Sequence, residues 1–230
     1  MQYAVLVWNG KPKNYLNICF ESLRLYNPNC KIYLYYDNEQ TKFEISKKVS
    51  VSCNINFLKI DKTNFKSPQY YQILKLYELS LELNENDQLL ALDCDLLFQN
   101  DPFLIFEKNS GDFYYSHSIL CLPDSLRPES IWKSVTYRVN AGVFGFVINK
   151  QSIKLLDFWI QNLNQPFWDK WVEYKPWNVD HAKNKWWWVD QDFINCIDNN
   201  ELPFELKKII FSYKFNYFTS TWGFFNENLE

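Results

Sequence analysis

Residues 88–97 read QLLALDCDLL, a mostly apolar run interrupted by Asp93 and Asp95. Strands that are buried on both faces read as continuous apolar runs, so this stretch predicts a central strand of a parallel sheet. Ligands of open α/β sheets bind beyond the carboxyl ends of the strands. Because residues two apart on a strand point to the same side, both carboxylates are expected to converge on one ligand at that edge.

Two carboxylates at such an edge are typical of a site for Mg²⁺ or Mn²⁺, which prefer oxygen ligands and often bridge protein carboxylates and substrate phosphates. In this interpretation Asp93 and Asp95 hold the metal, and the metal neutralises a leaving diphosphate. The alternative is a pair of solvated acids that close a strand, because a D-x-D tripeptide often occurs by chance. A phosphatase motif, D-x-D-x-Thr or D-x-D-x-Val, is disfavoured because Leu97 occupies its last position.

The rest of the chain alternates between strand and helix patterns. Apolar runs predict strands, and apolar residues at helical spacing predict helices. The predicted strands are residues 3–8, 31–36, 56–60, 112–115 and 142–148. The predicted helices are residues 15–25, 152–163, 190–197 and one that begins at Ser67-Pro68, with an apolar face of Tyr71, Leu74, Leu79 and Leu83. This alternation predicts an α/β fold with a mixed, mostly parallel central sheet flanked by helices, and the absence of a linker predicts a single domain.

The overall composition argues against several classes of protein. The formal net charge is −3 and the lysines are scattered among acids, which disfavours nucleic acid as a partner. No apolar stretch approaches the roughly 20 residues that span a bilayer, and the amino terminus lacks a signal-peptide pattern, so a cytoplasmic protein is expected. The six cysteines form no CxxC pair, which disfavours a zinc cluster and predicts mostly buried, reduced thiols.

Three further segments of the sequence carry candidate site residues. Lys75 lies on the predicted helix before the aspartate strand, residues 140–144 read NAGVF, and residues 190–195 read DQDFIN. A basic residue, D-x-D, N-[AS]-G-V and D-Q-x-x-x-N in this order resemble the GT-A glycosyltransferases, particularly the group of glycogenin and the lipopolysaccharide galactosyltransferases. The resemblance extends over residues 3–217. It implies a single GT-A (Rossmann-like) domain over residues 1–230, with a nucleotide-binding half at 1–100 and an acceptor-binding half at 101–230.

The resemblance also implies a reaction and its residues. A hexosyl- or deoxyhexosyltransferase would use a nucleotide diphosphate sugar, with a UDP-sugar as the expected donor, a glycan or other hydroxyl compound as acceptor, and Mn²⁺ or Mg²⁺ as cofactor. Asp93 and Asp95 would bind the metal. The implied donor-binding residues are Trp8, Asn9, Asp37, Lys75, Asp93, Cys94, Asn140, Ala141 and Gly142. The implied catalytic residues are Asp190, Gln191 and Asp192. For Lys75 a solvated helix lysine is the alternative, because lysine prefers the surface.

Residues 166–188 form a Trp-rich segment with no clear period. It leads directly to Asp190, so Trp186, Trp187 and Trp188 are predicted to line the acceptor groove; burial in the core is the alternative. Relatives in the family carry a late histidine as third metal ligand, whereas the histidines here are His117 and His181. That departure leaves both inverting and retaining stereochemistry open.

Two other functions fit parts of this pattern. A sugar nucleotidyltransferase would also use carboxylates and Mg²⁺, but it would need a glycine-rich phosphate loop after the first strand. Residues 8–12 read WNGKP and offer a single glycine there. A non-catalytic sugar-binding module would use the tryptophans as a platform, yet it would not need Asp93 and Asp95 beside a nucleotide pocket.

Overall fold

The computed structural model describes residues 1–11, 14–48, 55–60, 68–107, 110–117, 139–162 and 189–211. The strands are β1 (Gln2–Trp8), β2 (Lys31–Tyr36), β3 (Ile55–Lys59), β4 (Gln88–Leu92), β5 (Phe113–His117), β6 (Val139–Val147) and β7 (Lys208–Phe211). The helices are α1 (Asn14–Tyr26), α2 (Glu39–Lys48), α3 (Pro68–Glu82), α4 (Lys150–Asn162), α5 (Val189–Asp198) and a 3-10 helix (Pro102–Phe106).

The seven strands form one sheet in the order β3-β2-β1-β4-β6-β5-β7. β1 pairs in parallel with β2 and β4, β2 pairs in parallel with β3, and β5 pairs in parallel with β7. β6 lies between β4 and β5 and is antiparallel to both. The predicted mixed, mostly parallel sheet is therefore confirmed. The carboxyl ends of β1, β4 and β5 share one edge of the sheet with the amino end of β6.

β4 is buried on both faces, as its apolar sequence predicts. Leu89 and Ala91 belong to a core cluster with α3, α4 and α5, whereas Leu90 and Leu92 belong to a second cluster with α1 and the 3-10 helix. A fully buried Leu stabilises the fold by about 1.5–3 kcal/mol relative to an exposed one. β4 therefore packs against both helical layers, and the turn that follows it begins at a well-packed strand.

The strand that leads to the aspartates ends earlier than predicted. β4 ends at Leu92, and Cys94 and Asp95 lie in a turn, although the apolar run continues to Leu97. Leu96 and Leu97 lie outside any strand; Leu96 is 8% exposed and Leu97 is 54% exposed. The prediction that strand alternation directs both aspartates to the same side is therefore wrong, and the geometry of the turn sets the directions of their side chains.

The buried face of α3 also differs from the prediction. Ile73, Leu76 and Leu79 are buried, whereas the rest of the predicted face is only half-buried: Tyr71, Leu74 and Leu83. α3 packs against both β1 and α4. Because the apolar residues of α3 pack against two different elements, a single apolar stripe at helical spacing does not describe its buried face well.

The apolar pattern misses α2, the 3-10 helix and β7. Among its described side chains α2 buries Thr41 and Ile45 only, and its start is capped by Asn38, whose Oδ1 accepts the Gln40 N–H at 2.9 Å. β7 is a four-residue strand at the edge of the sheet, with Ile210 49% exposed. Short polar or edge elements carry too weak a periodic signal to be read from sequence.

The described cysteines fit the prediction of reduced, buried thiols. Cys19, Cys30, Cys94 and Cys196 are free and buried, and burial raises the pKa of Cys30 to about 12. The other two cysteines lie outside the described residues. Within the described part of the chain, no helix is long and apolar enough to cross a bilayer.

Candidate functional site

Three distant segments meet at the carboxyl edge of the sheet. The Asp93 N–H donates to the Gly142 carbonyl at 2.9 Å, which joins the turn after β4 to the beginning of β6. The charge of Asp190, in the first turn of α5, raises the pKa of Asp93, so this third segment lies close by. The D-x-D, N-A-G and D-Q segments are therefore neighbours in space.

Carboxylates dominate the electrostatics of this edge. Burial is the largest cause that raises the pKa of Asp93 well above its usual range, followed by the negative charges of Asp95 and Asp190. Asp190 is itself 7% exposed. Asp95 reaches solvent, yet desolvation by the surrounding protein still raises its pKa. A cation at this point would relieve the repulsion between these acids.

The oxygen atoms at this edge fit a divalent cation that takes only some of its ligands from the protein. Asp93 and Asp95 offer hard carboxylate oxygens, and within the described residues no group of three or more His, Cys, Asp or Glu side chains is placed to hold a metal. Mg²⁺ is usually bound through one or two carboxylates, with waters and substrate phosphates completing its octahedron. Two aspartates and a diphosphate would satisfy that requirement.

Two thiols form hydrogen bonds to backbone carbonyls on the core side of the turn that carries the aspartates. The Cys94 Sγ donates to the Val7 carbonyl at 3.3 Å, and the residue is 4% exposed. The Cys19 Sγ donates to the Asp93 carbonyl at 3.7 Å. The Cys94 side chain therefore points into the core, so its predicted contact with a donor would have to come from its backbone.

The residues predicted for the nucleoside lie together at the ends of β1 and β2. Trp8 pairs in register with Tyr36, and the half-buried Trp8 indole donates to the Lys11 carbonyl at 3.1 Å. The Asp37 Oδ1 accepts the Gly10 N–H at 2.7 Å, and Gly10 has φ +100°, a conformation that favours glycine. Asp37 thus braces the loop after β1, and the neighbouring Asn9 is exposed.

α3 carries Lys75, which is predicted to bind the donor, and a second polar residue, Gln72, that the sequence-based prediction leaves out. Lys75 forms an ion pair with Glu78 at 3.0 Å, and its ammonium lies 5.3 Å from the ring centroid of Tyr33. Gln72, one turn earlier, donates from Nε2 to the Val5 carbonyl at 2.9 Å and to the Leu92 carbonyl at 3.2 Å. The signal that identifies Gln72 in the sequence is an amide beside apolar Ile73 and Leu76 on a helix that faces the core.

Several predicted site residues are described in part or not at all. Ala141 and Gly142 are buried in β6 beside the Asp93 turn. For Asn140, Gln191 and Asp192 the backbone lies in β6 or α5, and the side chains are outside the described part of the chain. Trp186, Trp187 and Trp188 lie outside the described residues altogether. Their predicted roles stay predictions.

A second polar cluster lies at the end of β5 and was missed by the sequence reasoning. The Tyr115 hydroxyl donates to the Asp198 Oδ1 at 2.5 Å, and the His117 Nε2 lies 3.1 Å from the same oxygen. Lys208 donates from Nζ to the Ile197 and Asp198 carbonyls. A carboxylate at a helix carboxyl terminus is unfavourable by itself, and these partners offset that cost. The cluster fastens α5 to β5 and β7.

A cleft of about 760 Å³ lies at the opposite edge of the sheet. Its lining includes Asp112 before β5 and Lys207 before β7. Asp112 accepts hydrogen bonds from the Asn149 side chain at 2.9 Å and from the Lys207 N–H at 2.8 Å. None of the aspartates Asp93, Asp95 and Asp190 lines this cleft.

Comparison with known proteins gives matches at the level of structure. No family model matches the chain, and no curated protein matches it. The galactosyltransferase LgtC, solved with donor and acceptor sugar analogues, has a TM-score of 0.51 at 16% identity, covering 85% of this chain and 70% of LgtC. The glycosyltransferase GlyE of Streptococcus pneumoniae TIGR4 gives 0.52 at 15%, covering 94% of this chain and 46% of GlyE.

Mouse xyloside xylosyltransferase 1 in its apo form gives a TM-score of 0.51 at 11% identity, covering 92% of this chain and 85% of that enzyme. At such identities the likeness concerns the fold alone. The sheet described above, with its flanking helices, matches these structures. The chain therefore has the GT-A, Rossmann-like fold of these glycosyltransferases.

Proposed function

We propose that this protein is a metal-dependent glycosyltransferase that moves a sugar from a nucleotide diphosphate sugar to a hydroxyl acceptor. The observation that carries the proposal is the meeting of Asp93, Asp95 and Asp190 at the carboxyl edge of a GT-A sheet. In open α/β sheets this edge is the ordinary place for a ligand. A UDP-sugar is the expected donor, on the resemblance of the motifs.

Asp93 and Asp95 would hold Mn²⁺ or Mg²⁺. When bound, the metal supplies positive charge to the diphosphate that leaves as the bond to the sugar breaks. The raised pKa values of both carboxyls support this role, because buried and mutually repelling acids are stabilised by a cation. Cys94 and Cys19 would keep the turn in place from the core side.

The beginning of β6 would provide the floor for the donor sugar. Gly142 accepts the Asp93 N–H through its carbonyl, and as a glycine it would place no side chain between its backbone and a ligand. Ala141 and Asn140 precede it at the same edge. Trp8, Asn9 and Asp37 would line the nucleoside pocket two strands away, where β1 and β2 end.

The first turn of α5 would serve the acceptor. In an inverting reaction, Asp190 or Asp192 would accept the proton of the acceptor hydroxyl as general base. In a retaining reaction, Gln191 would lie beside the anomeric carbon, where no strong base is required. The stereochemistry of the product, measured by NMR, distinguishes these two roles.

The test is release of UDP from a panel of UDP-sugars, measured with Mn²⁺ and again with EDTA, with and without sugar acceptors. We expect at least one donor to be cleaved, faster with acceptor, and cleavage to stop in EDTA. Full activity in EDTA would contradict the metal role. Formation of a UDP-sugar and pyrophosphate from UTP and a sugar phosphate would instead identify a nucleotidyltransferase.

A further inference from the structure

Gln72 is a buried amide on an otherwise apolar part of α3. It is 5% exposed, and its neighbours Ile73 and Leu76 are fully buried. Its Nε2 donates to the carbonyls of Val5 in β1 and Leu92 in β4, at 2.9 and 3.2 Å. A buried amide is costly to desolvate unless it is hydrogen-bonded, and an apolar side chain of this size would pack without that requirement. Packing alone therefore does not explain why an amide occupies this position.

The Leu92 carbonyl belongs to the same peptide unit as the Asp93 N–H. Gln72 binds the oxygen end of this unit, and the Gly142 carbonyl binds its N–H end at 2.9 Å. A peptide unit is planar and rigid, so fixing both ends fixes the orientation of the whole plane. The plane leads directly into the Asp93 Cα, and its orientation limits where the Asp93 carboxylate can point.

We infer that Gln72 is a positioning residue for the metal site: it holds the Leu92–Asp93 peptide plane so that the Asp93 carboxylate faces the same ion as Asp95. The inference rests on the proposed function, since it takes the two aspartates to be metal ligands. Gln72 touches neither metal nor substrate in this role. Residues that orient metal ligands typically change metal affinity by about 10- to 100-fold when they are replaced.

The chain offers a matched control on the same two strands. Gln2 donates from Nε2 to the Gln88 Oε1 at 2.9 Å, and these residues are paired in register at the amino ends of β1 and β4. Gln88→Met removes this bond between β1 and β4 far from the aspartates. Gln72→Met removes the bonds to β1 and β4 beside them. A purely structural role predicts lower stability in both variants and no selective effect on metal.

The experiment measures Mn²⁺ binding in the presence of UDP by the free-Mn²⁺ EPR signal, together with Tm, for the wild type and both variants. We expect Gln72→Met to raise the Kd for Mn²⁺ about tenfold or more, and Gln88→Met to change it less than about twofold. Gln72→Asn, whose amide is one methylene shorter, serves as a second variant. It is expected to weaken Mn²⁺ binding too, and it carries the test if Gln72→Met does not fold.

Two results would overturn the inference and are distinguishable from each other. If the wild type binds Mn²⁺ and UDP while Gln72→Met and Gln72→Asn bind Mn²⁺ as tightly, Gln72 only stabilises the fold and the proposed function is untouched. If the wild type itself binds no Mn²⁺ with UDP, the metal site is absent, and both the proposed function and the role of Gln72 are wrong.

Discussion

The edges of the sheet at which β1, β4 and β5 begin and end carry polar groups arranged in opposite ways. At the amino ends donors and acceptors are matched, as in the Gln2–Gln88 bond and in Asp112, which accepts two N–H groups. At the carboxyl ends Asp93 lies close to two other carboxylates, and each of their charges raises its pKa. Hydrogen-bonded donors and acceptors stabilise a fold, whereas neighbouring carboxylates repel each other and favour the binding of a cation or a proton. This contrast supports our proposal that the carboxyl edge binds a ligand, whereas the paired groups at the amino edge stabilise the fold.

The largest expected effect is the loss of sugar transfer when either proposed metal ligand, Asp93 or Asp95, is replaced. Asp93→Asn or Asp95→Asn removes an anionic ligand from a charge-stabilising site whose contribution is several kcal/mol, so kcat/KM should fall about a thousandfold. The control is Asp112→Asn at the amino edge, which should lower Tm and leave kcat/KM unchanged. Equal losses of activity in all three variants would break the distinction between the two edges.

A somewhat smaller effect is expected for Asp190. If it acts as general base, Asp190→Asn should lower kcat by about 10²- to 10⁴-fold with little change in the KM for the donor. Removal of its charge should also lower the pKa of Asp93 toward its usual range, because that charge is among the causes of the raised value. The measurements are steady-state kinetics and the pH dependence of Mn²⁺ binding. An unchanged kcat would rule out Asp190 as the general base.

The tryptophans before α5 should act on the acceptor alone. Replacing one of Trp186, Trp187 and Trp188 with Ala should raise the acceptor KM about fivefold to tenfold, the loss expected for one aromatic contact. Donor hydrolysis without acceptor should stay the same, since the proposed metal and nucleotide contacts are made by other residues. Unfolding of all three variants would show instead that these side chains belong to the core.

The smallest expected effect is on stability as a function of pH. The folded-state pKa of Asp93 is raised, so the folded protein binds more protons than the unfolded chain between the ordinary value of 3.8 and the raised value. Stability therefore decreases as pH rises through that window. Metal-free wild type should lose Tm relative to Asp93→Asn over this range, and Mn²⁺ with UDP should restore it. Parallel Tm curves for the two proteins would contradict the account.

The sequence predicts the strands and helices well where the signal is local. The run that becomes β4 is apolar because both faces are buried, and its position at a ligand-binding edge follows from the alternation of elements. The end of the strand was not predictable, since Leu96 is apolar and buried yet lies beyond the strand. An apolar residue in the sequence indicates burial, but it does not indicate whether its backbone is hydrogen-bonded to a neighbouring strand.

The candidate site was predictable only in part. Asp93 and Asp95 stand out as charges in an apolar run, and the resemblance brings Asp190 into consideration. The role of Gln72 can be recognised only from the three-dimensional structure, because the carbonyls that it binds are 67 and 20 residues away along the chain. The inward direction of Cys94 likewise depends on the turn and on Val7 in the neighbouring strand.

The most direct test of the central claim is the thermal stabilisation of the protein by UDP and Mn²⁺ together. A ligand that binds only the folded state raises its stability by about 2.7 kcal/mol at a hundred times its Kd. We expect a clear rise in Tm for the wild type and for Asp112→Asn, a larger rise with UDP than with GDP, CMP or ADP, and no rise for Asp93→Asn. A rise in Tm with Asp93→Asn equal to that of the wild type would contradict a metal-bound donor at the carboxyl edge.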